Sequence, residues 1–286
     1  MRIARALALC LALAASAGAG AQERVSFPSL DGAANAPVVL TGLWFAATNA
    51  SPGAPAPAVA LFHGCGGAFD RRAQLSKRLQ DYAVLFNRAG YSALVVDSLT
   101  PRYEVELCTQ RSGSRRVTQS NRRLDALGAV AYLAERADVD PRRIGLVGWS
   151  NGGSTVLAAT NLRHRDVAAA LVQPAFAVAF YPGCEADLKR GYEAVAPLLM
   201  LVGQADDWTA AAPCRALARE AGGVPPEIEA YAGAYHGFDS DQQVRLRKDV
   251  PNGVNPGQGV HVGGNAAAWH ASQARLLEFI GRYRSP

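Results

Sequence analysis

Residues 143–159 run Arg143-Ile144-Gly145-Leu146-Val147-Gly148-Trp149-Ser150-Asn151-Gly152-Gly153-Ser154-Thr155-Val156-Leu157-Ala158-Ala159. An apolar strand over 144–147 leads into a Gly-x-Ser-x-Gly turn, and the small residues of 153–159 open a helix. A serine on such a strand-to-helix turn is held in a strained backbone conformation that lifts its hydroxyl clear of a sheet. Glycines flank it because side chains there would collide with neighbouring strands. A buried Gly-rich turn without chemistry is the alternative, and the strand before and helix after favour the elbow.

Outward from this segment, short apolar runs at 58–62, 92–96, 177–181, 198–202 and 228–231 read as further strands. They are predominantly apolar, as parallel strands covered on both faces should be. Helical patterns at 73–89, 119–136, 153–161, 213–221 and 266–283 alternate with them. Alternation of this kind predicts βαβ units and a mostly parallel sheet covered by helices on both faces, with ligands beyond the carboxyl ends of the strands. The Pro/Ala-rich stretch 48–58 reads as a hairpin connection, and no repeat of 20–50 residues is visible.

The strand at 58–62 is followed by His63-Gly64-Cys65-Gly66-Gly67. A Gly-rich turn beside the nucleophile's strand can aim backbone N–H groups at a developing oxyanion, so Cys65 and Asn151 are the expected donors. The absence of a Lys-Ser/Thr pair after the turn removes a phosphate-binding P-loop. In this chain order the acid comes next and the histidine last. Asp206 follows the strand at 198–202 and is the expected acid, with Asp207 as the alternative; His236 follows the strand at 228–231 and is the expected base. His63 and His164 precede the acid, whereas His261 and His270 fall in a loop and on the closing helix. Gly64, Trp149 and Trp208 flank these groups and are expected to line the substrate site. The chemistry requires no metal and no cofactor.

The chain has 286 residues, 49% of them hydrophobic and 19% charged, a balance that suits one large globular domain. Residues 1–21 carry Arg2 and Arg5, then an Ala/Leu-rich run, then small residues ending at Ala21, the layout of a cleaved secretory signal too short to span a bilayer. The expected mature chain is therefore a single domain over 22–286, without a membrane span, secreted or periplasmic. It retains 27 Lys and Arg against 24 Asp and Glu, too mild an excess to argue for nucleic acid. The five arginines of 111–123 read as a solvated loop and helix face. Four cysteines remain, and an even number in an oxidising compartment favours two disulfides. Spacing allows three connectivities. Strand order favours Cys65–Cys108 and Cys184–Cys214, because each pair leaves the ends of two strands expected to be neighbours. The sequence leaves the oligomeric state open.

These residues resemble the dienelactone hydrolase family of the α/β-hydrolase superfamily, in its secreted bacterial branch. The resemblance covers roughly residues 58–282. It rests on Phe62-His63-Gly64-Cys65-Gly66-Gly67, on Arg122-Arg123-Leu124-Asp125-Ala126, on Asp138-Val139-Asp140-Pro141-Arg142-Arg143-Ile144 and the elbow, on Tyr181-Pro182-Gly183, and most specifically on Tyr231-Ala232-Gly233-Ala234-Tyr235-His236-Gly237-Phe238-Asp239. It implies an α/β-hydrolase fold with an eight-stranded, mostly parallel sheet. It also implies hydrolysis of a carboxylic ester or lactone at Ser150, Asp206 and His236 through an acyl-enzyme. The family's own nucleophile is a cysteine, and Ser150 departs from it. Short connections after the elbow, such as 182–197, leave no large lid, so the open site would admit bulky or polymeric esters. A peptidase of the same superfamily and a catalytically inactive binding module are the competing readings.

Overall fold

The computed structural model describes residues 22–33, 36–70 and 72–284. The expected signal segment 1–21 lies outside them. The chain opens with Glu23–Ala33 (β1) and Ala36–Phe45 (β2), then Ala56–Phe62 (β3), helix Lys77–Arg88 (α1) and Ser92–Asp97 (β4). Gln119–Ala134 (α2) leads to Val139–Trp149 (β5), Asn151–Ala159 (α3), the short Arg165–Ala168 (α4) and Phe176–Phe180 (β6). Glu185–Arg190 (α5), Glu193–Ala194 (β7), Leu198–Gly203 (β8), Ala211–Glu220 (α6), Gly222–Gly223 (β9) and Glu227–Tyr231 (β10) follow. A hairpin of Arg245–Arg247 (β11) and Val260–Val262 (β12) precedes the closing helix Ala266–Gly281 (α7).

Eight strands form one sheet in the order β1-β2-β4-β3-β5-β6-β8-β10. The two pairings made by β2 are antiparallel, and every pairing from β4 to β10 is parallel. All residues of β3, β4, β6 and β8 are buried, which is why these strands carry no polar alternation. One face packs under α2, α3 and α6 through Val130, Leu133, Val156, Leu157 and Leu217. The other packs under α1 and α7 through Leu79, Phe86, Leu276 and Phe279. The fold is the expected α/β-hydrolase architecture, with no large lid among the described residues.

Two expectations are corrected. The stretch at 48–58 is not a hairpin connection, because β4 lies between β2 and β3. Pro and Ala mark where the chain turns but not where it returns, and the wholly apolar β3 takes the interior slot between β4 and β5. His261 lies on β12 and not in a loop. The strands β1 and β2 were unread, although Val25, Phe27 and Ser29 alternate buried with exposed neighbours, the period of two of a half-covered strand.

Candidate active site

The elbow follows from crowding at the end of β5. Ser150 takes φ 56° and ψ −117° at the start of α3, and its N–H donates to Phe180 O at 2.9 Å on the neighbouring strand. A Cβ at Gly148 would strike the Gly152 carbonyl, and one at Gly152 would strike the carbonyls of Phe62 and His63. Only glycine permits this approach of helix to sheet.

His236 Nε2 lies 2.7 Å from Ser150 Oγ, and His236 Nδ1 lies 2.8 Å from Asp206 Oδ2. With Asp206 ionised, Nδ1–H donates to the carboxylate and Nε2 accepts from the serine hydroxyl. The imidazole is wedged between Tyr181 and Trp208, with both ring centroids 4.7 Å away. Asp206 is fixed in turn. Its Oδ1 accepts the backbone N–H groups of Trp208 and Thr209 at 2.8 and 2.9 Å, and Thr209 Oγ1 donates to Oδ2 at 3.1 Å. The alternative acid points elsewhere: Asp207 accepts from the backbone N–H and Nδ1 of His261 at 2.8 and 2.7 Å, pinning β12 to the loop after β8.

The turn after β3 brings Cys65 beside the elbow, and a Cβ on Gly64 would stand 3.4 Å from Ser150 Cβ. Leu107 N–H donates to Cys65 O at 2.7 Å. Cys65 is bonded to Cys108, and Cys184 to Cys214, the two pairs that strand order favours. Among the described residues, neither the Cys65 N–H nor the Asn151 N–H donates to a protein acceptor. His63 is buried beneath the turn. Its Nδ1–H donates to Gly64 O at 2.7 Å, and its Nε2 accepts the Ser98 N–H at 3.3 Å, which defines a neutral imidazole. Burial, and next the Arg122 cation, hold its pKa well below the ordinary histidine value.

A cavity of about 470 Å³ opens over Ser150, Asn151 and Cys65 and reaches Arg115, Arg190 and Trp208. A second, of about 210 Å³, lies on the His236 side, bordered by Gly64, Trp208, Arg245 and Arg247. Trp149 is 1% exposed, stacked on Phe180 and tilted against Tyr82. It is among the residues bordering this cavity, and it also packs the core at the end of a strand covered on both faces. Among the described residues no group of three or more His, Cys, Asp and Glu side chains is placed to hold a metal ion, and no helix is long and apolar enough to cross a membrane.

A buried carboxylate behind the site has no role legible from its place in the sequence. Asp239 accepts from Trp149 Nε1 at 2.9 Å and Tyr181 OH at 2.7 Å, and pairs with Arg78 Nε at 3.1 Å. The available signal was an acid three positions past the candidate base in an otherwise apolar block.

The family model of the dienelactone hydrolase family matches residues 45–284. Among solved structures, an esterase of Thermogutta terrifontis phosphorylated by paraoxon superimposes with a TM-score of 0.63 at 16% identity, covering 97% of this chain and 100% of its own. A dienelactone hydrolase-like promiscuous phosphotriesterase from metagenomic libraries gives 0.62 at 18% identity, covering 93% and 100%. Dipeptidyl peptidase 4 of Porphyromonas gingivalis gives 0.62 at 16% identity, covering 92% of this chain and 36% of the peptidase. Comparison with curated proteins gives no match. The structural likenesses are likenesses of fold, but the family match spans most of the sequence: the chain belongs to the dienelactone hydrolase family and is a carboxylic ester hydrolase.

Proposed function

We propose that this protein cleaves carboxylic esters through an acyl-enzyme on Ser150, with His236 as general base and then general acid and Asp206 as the carboxylate that orients it. One observation carries the reading, the unbroken hydrogen-bond chain from Ser150 Oγ through His236 to Asp206. A serine hydroxyl alone is a weak nucleophile. As Oγ attacks the ester carbonyl, Nε2 takes its proton, and Asp206 stabilises the imidazolium. The carbonyl oxygen becomes an oxyanion, for which the unclaimed N–H groups of Cys65 and Asn151 are the candidate donors. Each such donor is worth about 3 kcal/mol of barrier. Collapse breaks the bond to the alcohol, which leaves with the proton from Nε2. Water then attacks the acyl-serine by the same route and releases the acid.

His236 must reach the leaving oxygen, so the cavity on its side suits the alcohol portion and the larger one the acyl portion. Both are open, which fits bulky esters, lactones and polyester chains. The paraoxon-phosphorylated relative supports an organophosphorus probe as a label for Ser150. Two disulfides support an oxidising compartment, and residues 1–21 supply the export signal of this reading, leaving a single domain over 22–286. The test is a p-nitrophenyl ester burst with fluorophosphonate labelling, on wild type and Ser150→Ala. Both signals vanish in the variant if the reading holds; activity above a few per cent of wild type refutes it. N-terminal sequencing of exported protein, expected to begin at Gln22, tests the secretion.

A further inference from the structure

We infer that Arg122, which touches no substrate cavity, is the positioning residue of the oxyanion hole, a single guanidinium that locks the turn bearing Cys65 to the elbow bearing Asn151. This rests on the reading of those two N–H groups as oxyanion donors. Arg122 lies in the first turn of α2, is 0% exposed, and reaches between the two segments. Its Nη1 donates to Asn151 Oδ1 at 2.5 Å and its Nη2 to His63 O at 2.8 Å. Both acceptors sit at the edges of the hole: the side chain of the residue that supplies one donor, and the carbonyl two positions before the other.

The energetics argue against a merely structural role. Burying a guanidinium is costly unless it is paired, and among the described residues no carboxylate lies within ion-pair distance of Arg122. The nearby Asp125 is occupied by Ser29 Oγ at 2.6 Å and by Arg102 at 2.7 Å. Arg122 Nε is buried without a partner, as are Asp97 Oδ2 and Ser98 Oγ. Burial draws the guanidinium down to about 10, against the pull of Asp125 and Asp97, so it remains a cation at neutral pH. An apolar side chain would fill this space at lower cost but could not hold two carbonyl-type oxygens from separate segments.

The rest of the first turn serves the same end. Gln119 Nε2 donates to Asn151 O at 3.1 Å, and Thr155 Oγ1 donates to the same oxygen at 3.0 Å. Asn151 is therefore gripped at its side chain and its carbonyl, while its N–H is left free. Thr118 and Asn121 close a reciprocal cap on α2, which fixes the turn from which Arg122 and Gln119 project. On the other side, Leu107 holds Cys65 O and His63 holds Gly64 O; the pairing of β3 with β5 sets the two segments side by side up to Phe62 and Gly148, and Arg122 ties them together beyond the strand ends.

The experiment compares Arg122→Met, Arg122→Lys and Asn151→Ala with wild type, normalising every rate to sites titrated by a fluorophosphonate. Loosening a preorganised donor pair by a fraction of an ångström is expected to lower kcat per titrated site by about 30- to 100-fold in Arg122→Met, with KM within about twofold. Arg122→Lys, which keeps one of two contacts, should fall between, and Asn151→Ala should lose about tenfold. Affinity for a trifluoromethyl ketone, whose tetrahedral adduct bears the oxyanion, should fall in proportion to kcat/KM across the series. A structural role would instead lower the titrated fraction and the melting temperature while leaving kcat per site unchanged, and that result overturns the inference. Asn151→Ala carries the same test should both Arg122 variants fail to fold; wild-type kcat per site there also overturns it. A wild type that shows no burst defeats the ester hydrolase reading itself, a separable outcome.

Discussion

Trp149, the residue before the candidate nucleophile, donates its indole N–H to Asp239, three residues past the candidate base, at 2.9 Å. The same carboxylate takes the hydroxyl of Tyr181, whose ring packs on His236, and faces Arg78 from α1. One buried anion thus connects the elbow, the histidine loop and the end of β6. The relative placement of Ser150 and His236 is set behind the site as well as within it.

Asp239→Asn keeps the volume but leaves Arg78 without its counter-charge and one donor without an acceptor. A buried donor left unsatisfied costs about 1–3 kcal/mol, and Arg78 is a third exposed, so its share is discounted. In a domain of this size that amounts to a loss of roughly 3–9 °C in melting temperature. Turnover should fall about tenfold with KM little changed, since Asp239 itself borders neither cavity beside Ser150. Calorimetry and steady-state kinetics check both numbers. An unchanged kcat would confine Asp239 to stability.

The sheet was legible because the parallel strands from β4 to β8 carry near-continuous apolar runs, and because the elbow is constrained by sterics that act over five residues. The same order, strand by strand, brought Ser150, Asp206 and His236 to one end. What escaped were groups whose meaning depends on non-local partners. Arg122 reads as one of several arginines on a solvated face until α2 is docked, and Asp239 reads as a loop acid until Trp149 and Tyr181 surround it. β1 and β2 escaped for a different reason: β1 lies at the sheet edge with its pairing to β2 interrupted between Pro28 and Gly32, and β2 changes from exposed to buried along its length.

The two disulfides should separate in effect. Cys65–Cys108 anchors the turn carrying a candidate oxyanion donor, whereas Cys184–Cys214 joins the start of α5 to α6. Each closes a loop worth about 4 kcal/mol in the chain-entropy model. Cys184 and Cys214 are wholly buried, so mild reductant should open Cys65–Cys108 first, and activity should fall before the melting temperature has dropped by its full amount. Differential alkylation with peptide mapping reports the order. Loss of the Cys184–Cys214 bond ahead of any activity change would reverse the assignment.

Asp206→Ala should reduce kcat by about four orders of magnitude, because the imidazole loses the group that fixes its tautomer and stabilises its charge. Asp207→Ala should cost no more than a few-fold, since Asp207 holds His261 and the β11–β12 hairpin and makes no contact with His236. Its effect should appear as faster proteolysis of the segment 240–264. The reverse ranking of the two rates would transfer the acid's role to Asp207.

His63 gives the fold a pH dependence with a definite sign. It is held neutral in the folded state, with its pKa well below 6.5, because protonation would place a second cation beside Arg122 and destroy the acceptor for the Ser98 N–H. The unfolded chain binds a proton near 6.5, the folded chain only at lower pH. The folded state's advantage is therefore fully present above about 6.5 and is lost progressively as pH falls from there toward the depressed folded value. Melting temperatures of the wild type should decline between pH 7.5 and 5.5. His63→Asn, whose amide can still donate to Gly64 O but does not titrate, should start lower and decline less over the same interval. Equal slopes for the two proteins would place the acid sensitivity elsewhere, and a wild type stable without change to pH 5.5 would contradict a neutral, buried His63.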